Sequence, residues 1–299
     1  MDQLQRGGGR RFGQRVDLCA RLKQVLDNYP EDALMKEMLQ NADDAGAGTF
    51  CVVLDRRLHQ RATTVCEGTA AFQGPAIVTY NDAVFSDDDL DSIQNVGGSH
   101  KVKEDGRSKT GRFGIGFNAC YHVTDVPALL TRHFLCLFDP HQLHVPDPAD
   151  TGWIGDWMED PSLIDRYQDQ FAPFVGFFGC HFPAEFGGTL FRLPLRTVEQ
   201  AATSRISRQP YTMEAAQALL EQFIQSLDEV ALFLTHVHTI KVSTWAEAAP
   251  MPVELCVLNV KDRSTGIRPI RHQLHELIAS ARAGDHAGLR SIGIQDVSE

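Results

Sequence analysis

The 299-residue chain is short of several things. It has no apolar run near the roughly 20 residues that a membrane-crossing helix requires. Its first eleven residues, Met1 to Arg11, are rich in Gly and Arg and lack an apolar signal core, which reads as a disordered lead. Its seven cysteines are odd in number and contain no Cys-x-x-Cys pair. That argues against a disulfide framework and against a cysteine zinc site. Cys19, Cys51, Cys120 and Cys136 sit in apolar contexts, as reduced core thiols do, so the expected setting is the cytoplasm or another reducing compartment. Positive charge is also scarce: 28 Lys and Arg against 39 Asp and Glu leave a net charge of −11. Broad nucleic-acid binding needs a basic face, so no nucleic-acid partner is expected. No Ser–His–acid order stands out, and His141/His144 and His236/His238 are pairs without a third metal ligand at useful spacing. Internal repeats are absent.

What is present is concentrated in residues 37–44, Glu-Met-Leu-Gln-Asn-Ala-Asp-Asp. On a helix at 100° per residue, Glu37, Asn41 and Asp44 fall on one face. Leu34, Met38, Ala42 and Ala45 form an apolar stripe beside them, while Lys36, Gln40 and Asp43 point the other way. A polar stripe bordering the core places a carboxylate and an amide at the rim of the interior. A general base and an oxygen ligand for a hard cation are useful there. Taken alone, the octapeptide fits a solvated helix face better.

A second signal follows about seventy residues later. Residues 111–117 read Gly-Arg-Phe-Gly-Ile-Gly-Phe, then Asn118-Ala119-Cys120-Tyr121-His122 with helical apolar spacing. Bare glycines let backbone N–H groups approach an anion, and a helix N-terminus favours negative charge. Just before it, residues 97–110 lack apolar periodicity and carry Lys101, Lys103, Arg107 and Lys109. This segment reads either as a solvated loop or as a lid over phosphates. His122 reads as a packed or hydrogen-bonded core histidine.

These two signals resemble the Bergerat-fold (GHKL) ATPases, a superfamily that includes type II topoisomerases, MutL, sensor histidine kinases and the ninety-kilodalton heat-shock chaperones. The chain is more closely similar to the nucleotide-binding-like module of the sacsin family. The matching stretches run in order across residues 12–196: Phe12-Gly13-Gln14, Leu39 to Ala47, Tyr80 to Phe85, Ile93 to Gly97, Gly111 to Phe117, Tyr121 to Pro127, Phe138 to His141 and Gly188 to Arg192. The acidic charge disfavours the topoisomerase-like and repair-like branches. The resemblance implies an α+β fold of Bergerat type: a two-layer sandwich of a mixed, mostly antiparallel sheet with helices on one face, plus a C-terminal extension. It implies ATP and Mg²⁺ as ligands, and unfolded clients or other chaperones as partners, in protein folding or quality control.

The resemblance also assigns roles. Glu37 would be the general base and Asn41 the Mg²⁺ ligand. Asp44 would line the nucleotide pocket. Gly111, Gly114, Ile115 and Gly116 would let the backbone approach phosphates, with Phe117 shaping the base or sugar wall. Thr189 would help hold the adenine end, and Lys101 and Lys109 would neutralise phosphate. One departure stands out. Where the superfamily has Asp-x-Gly-x-Gly to accept the adenine amino group, this chain has Asn81-Asp82-Ala83-Val84-Phe85. Both glycines are gone, the acid is shifted to Asp82 or replaced by Asn81, and Val84 and Phe85 are positioned to intrude on the base. A lost charge-assisted bond is worth roughly 1.5–3 kcal/mol, or about ten- to a hundredfold in affinity. Two readings stay open: an ATPase module with weak binding and slow hydrolysis, and a non-hydrolysing scaffold that keeps the fold.

Apolar periodicity predicts helices over Val16 to Tyr29 and Met213 to Leu234, and strands over Thr49 to Leu54, Ala76 to Tyr80, His133 to Phe138, Thr189 to Leu195, Ile240 to Trp245 and Val253 to Val260. Pro30 opens the second helix, with Glu31 and Asp32 in its first turn. Gly46 and Gly48 close it. Ser86 caps a helix that carries Asp87 to Asp89 in its first turn. The expected organisation is a lead at 1–11, one ATPase-like domain at 12–260 and an extension at 261–299 with a short helix near Leu274 to Arg282. The domain holds a lid at 97–110 and an aromatic-rich insertion at 141–187, whose aromatics are expected to pack locally.

Overall fold

The computed structural model describes residues 17–94 and 116–260. The lead, the lid, the C-terminal extension and most of the glycine box lie outside the described residues. In chain order the elements are α1 (Leu18–Asn28), α2 (Ala33–Asp44), β1 (Thr49–Asp55), α3 (Glu67–Ala70), β2 (Ala76–Asn81), α4 (Asp87–Ile93), a 3₁₀ turn (Phe117–His122), β3 (Ala128–Arg132), β4 (Phe134–Phe138), β5 (Gly152–Asp156), α5 (Ser162–Arg166), α6 (Gln168–Phe171), β6 (Phe186–Pro194), α7 (Val198–Thr203), α8 (Met213–Ala231), β7 (Thr239–Trp245) and β8 (Val253–Asn259). The eight strands form one sheet in the order β5-β4-β3-β6-β2-β1-β7-β8. Its pairings are antiparallel except β1 with β7, so the sheet is mixed and mostly antiparallel as expected.

Local chemistry sets the helix ends. Asp17 caps α1 by accepting the Ala20 N–H, and Thr212 does the same for α8 from Ala215. Ser86 and Asp89 form a reciprocal capping box on α4. At the end of α2, Gly46 adopts φ +79°. Its N–H bonds the Asp43 carbonyl and the Ala47 N–H bonds the Ala42 carbonyl, the two bonds of a Schellman stop. The start of α2 differs from expectation. Pro30 to Asp32 form a separate turn, and the helix begins at Ala33.

Two cores lie on opposite faces of the sheet. On one face α1, α2, α8 and the 3₁₀ turn cover Phe50, Val52, Leu54, Ile77, Leu193, Ile240 and Val242. The other face (Val53, Val78, Leu130, Leu135, Leu137 and Leu190) is covered by the insertion, through Trp157, Leu163, Phe171, Phe174 and Phe177. The insertion's aromatics therefore pack locally, and they add a cover that a two-layer description lacks. Burial on both faces explains why β1 reads Phe-Cys-Val-Val-Leu rather than alternating with polar residues. Two strands absent from the periodicity reading appear. β3 pairs with β4 through a tight turn carrying Arg132 at φ +52°. β5 lies inside the insertion and forms one edge of the sheet. No helix among the described residues is long and apolar enough to cross a membrane.

Candidate functional site

The α2 helix delivers the first two predicted side chains to one place. Glu37 stands against Gly116, the last glycine of the box. A Cβ built on Gly116 would collide with Glu37 Oε2, so a side chain there would displace the carboxylate from its place beside the box. The Tyr29 hydroxyl donates to Glu37 Oε1 at 2.5 Å. That bond, with burial adding to it, raises the phenol pKa to about 12. Glu37 is thus oriented from one side by a phenol and borders the glycine box on the other. One turn further, Asn41 lines a cavity with Met38, Asn81, Phe85, Phe117 and Thr189. Glu37, Gly116, Asn41, Asn81, Phe117 and Thr189 are therefore gathered at one end of the sheet's helical face. Lys101, Lys109, Gly111, Gly114 and Ile115 lie outside the described residues.

The box runs into a 3₁₀ turn, not the expected α-helix. Its bonds from Ala119 to Gly116 and from Val123 to Cys120 are of the i to i+3 kind. Five of its six residues are buried against α1 and α2. Phe117 packs on Phe138 and Phe191, with ring centroids 5.2 and 5.4 Å apart. His122 is held as expected: its Nε2 is 2.7 Å from the Tyr29 carbonyl.

Three acidic residues take other positions. Asp44 bonds the Gln40 amide at 3.0 Å and does not line the cavity. Asp82 accepts N–H groups of Gly48 and Thr49 at 2.8 and 3.0 Å, pinning the α2–β1 turn. Asp43, expected to point away with Gln40, is 2% exposed. Its carboxylate accepts the N–H groups of Thr235, His236 and Val237. It is a strut between α2 and the α8–β7 connection. Helical spacing placed it correctly away from Asn41, but a partner 192 residues away leaves no local signal.

The altered segment 81–85 is tied into the sheet. Asn81 Oδ1 accepts the Ala83 N–H at 3.1 Å. Thr189 donates its hydroxyl to the Ala83 carbonyl at 2.7 Å. The Phe85 N–H reaches Thr131 Oγ1 at 3.2 Å, and that hydroxyl donates to the Gly188 carbonyl at 2.9 Å. These bonds turn the Phe85 ring inward, edge-on to Phe191 at 6.0 Å. Val84 stays half exposed at the rim. The cavity left for water centres is ≈ 30 Å³, room for about two waters.

The histidine pair 141/144 gains a neighbour. Asp139, His141 and His144 bring one ligand-type atom each within 4.8 Å. Asp139 and His141 are already engaged. The Asp139 carboxylate accepts N–H groups of His141, Leu143, His144 and Val145. His141 Nε2 accepts the Arg205 N–H at 3.0 Å, which leaves the proton on Nδ1. Burial lowers the His141 pKa and keeps the ring neutral. A ring with one nitrogen accepting and the other protonated offers no lone pair to a metal, so Asp139 and His141 serve as a structural knot, although the buried Nδ1 of His141 meets no hydrogen-bond partner among the described residues. A further knot, unforeseen from the sequence, is buried Arg196. It contacts Asp125 at 2.8–2.9 Å and the carbonyls of Tyr121, His122 and Thr124.

A helix-backed, mostly antiparallel sheet with an acid–amide helix against a glycine turn defines the class of architecture. The sacsin domain family matches residues 15–256. Human sacsin is 36% identical over 229 residues, covering 72% of this chain and 5% of that protein. The chain belongs to the sacsin family. It spans about a twentieth of the length of that human relative.

Proposed function

We propose that this chain is a Bergerat-type, Mg²⁺-dependent nucleoside triphosphate module of a sacsin-like quality-control chaperone, binding ATP weakly and hydrolysing it slowly. The observation that carries the reading is the placement of Glu37 against Gly116 with Asn41 one turn away facing the cavity. The carboxamide oxygen of Asn41 is a hard ligand of the kind Mg²⁺ takes when most of its shell is water and phosphate. Asn41 would hold the ion, and Mg²⁺ supplies charge neutralisation on phosphate oxygens. Glu37 would accept the proton of the attacking water through Oε2, while the Tyr29 hydroxyl on Oε1 fixes the carboxylate's orientation. A general base contributes typically about 10²–10⁴-fold in rate. The expected setting is cytoplasmic, and the expected partners are unfolded clients or other chaperones.

Phosphate release from Mg·ATP, followed alongside binding, tests the assignment. Glu37→Gln is expected to lower turnover by about 10² or more while binding persists. Unchanged turnover would show that another group is the base. The inward Phe85 favours a second reading, a scaffold that has lost nucleotide; it predicts no saturable binding at all.

A further inference from the structure

We propose that the outer edge of β5 and the cavity beside it form a docking groove for an extended peptide of another protein, apolar at alternate positions and flanked by Lys or Arg. The inference is independent of the nucleotide reading. It starts from the backbone. β5 ends the sheet and pairs with β4 alone. Along an antiparallel pair, residues that exchange N–H and C=O bonds alternate with residues whose groups face away. The Asp139 N–H bonds the Thr151 carbonyl, and the Trp157 N–H bonds the His133 carbonyl. In that register Trp153 and Gly155 also bond β4, while Gly152 and Ile154 turn their N–H and C=O groups outward. Among the described residues none of these outward groups has a partner.

The edge borders a cavity of ≈ 330 Å³. Leu18 of α1 and Leu90 and Ile93 of α4 line it from the helices, and Phe138 and Ile154 line it from the sheet. Ile154 stands opposite Cys136, on the helical side, and is 56% exposed. A strand added to β5 would send every second side chain to that side. Main-chain bonds along the edge would then supply affinity, and the cavity would select the alternate side chains. Charge fixes the flanks. Asp150 lines the cavity, and no Lys or Arg does among the described residues. Asp87, Asp88 and Asp91 of α4 and Asp147 ahead of β5 are exposed. Cationic flanks complement these acids and speed encounter. An antiparallel second copy would instead bring Asp150 toward Asp156 of the other copy, and like charges facing across strands are destabilising.

The test is fluorescence anisotropy of labelled Lys-Lys-Ile-Ser-Leu-Ser-Val-Lys-Lys against the whole chain. Saturable binding is expected. It should weaken about tenfold or more when the lysines become glutamates, and equally when N-methylation of Ile, Leu and Val removes their edge-facing N–H groups. No saturable binding overturns the groove. Equal binding of the glutamate peptide overturns the charge selection, and equal binding of the N-methyl peptide overturns strand addition. Ile154→Pro deletes an outward N–H at a place where an edge strand accepts proline. With its fold checked by thermal melting, it is expected to lose about tenfold or more in affinity. Should it fail to fold, Ile154→Lys, which sets a cation against the basic peptide, supplies the same test. Unchanged binding in the folded variant overturns the assignment of the edge. A dimer of the chain in sedimentation that Ile154→Lys dissociates would give the edge to a second copy and overturn the proposal.

Discussion

Asp43 shares the signature octapeptide with Glu37 and Asn41, yet its surroundings make it structural, and Asp43→Ala separates the two roles. The substitution strips an acceptor from three backbone N–H groups, at Thr235, His236 and Val237. At about 1.5–3 kcal/mol for each bond to a charged acceptor, the upper bound is roughly 4.5–9 kcal/mol. Thr235 and His236 are exposed, so water replaces the lost acceptor there. Val237 is 3% exposed and keeps the full penalty. A net loss of about 2–3 kcal/mol follows. With a urea slope of about 2–3 kcal/mol/M, the unfolding midpoint falls by roughly 1 M. Asp43→Asn retains one acceptor oxygen and should fall in between. At low temperature, where the alanine variant remains folded, Mg·ATP titration should match wild type. A midpoint shift below about 0.5 M, or intact stability with binding lost, would refute the strut.

Three further outcomes follow from the same geometry. Arg196→Met strands the buried Asp125 carboxylate and several carbonyls, and should cost about 3–5 kcal/mol by chemical unfolding; adding Asp125→Leu should recover part of it, and a neutral single variant would show that the pair is not a hub. Stability should fall as pH rises from about 9 to about 12. Burial raises the thiols of Cys51, Cys136 and Cys180 from 9.0 to about 12, and the Glu37 bond raises Tyr29 from 10.0 to about 12. The folded state then holds more protons than the unfolded chain across that window. A urea midpoint flat between neutral pH and about pH 10.5 contradicts this. Gly116→Ala drives a Cβ into Glu37 Oε2; the carboxylate must move, and phosphate release should drop by about 10² or more. Wild-type turnover in that variant would uncouple Glu37 from the chemistry.

Much of this architecture was legible because its elements carry strong local signals. The α8 helix has a sustained apolar stripe and a threonine cap. The α4 helix begins with a capping box, and α2 stops at a glycine that the φ of +79° requires. The acid–amide spacing correctly put Glu37 and Asn41 at the rim of the core. What escaped depended on distant partners. The β3–β4 turn uses Arg132 and His133 instead of the Asn-Gly or Asp-Gly that announces a two-residue hairpin. β5 sits in a stretch whose Gly, Trp and Ile do not alternate polar with apolar, so its edge position had no signature. The second cover on the sheet follows only from seeing Trp157, Phe171 and Phe174 against Val78 and Leu190. Asp43, Asp82 and Arg196 are charged residues whose partners are far away in sequence. The intrusion of Phe85 was readable from the missing glycines, but its fixation by Thr131 and Thr189 was not.

The proposed function rests on Glu37 and Asn41 of α2 serving a Mg²⁺-nucleotide site. Titration of Mg·ATP into the wild-type chain and into Asn41→Ala addresses this directly. The account predicts saturable, Mg²⁺-dependent binding in the millimolar range, near −4 kcal/mol, weakened about tenfold or more by Asn41→Ala. Absence of saturable heat at millimolar triphosphate, or identical binding with and without the Asn41 carboxamide, would contradict it.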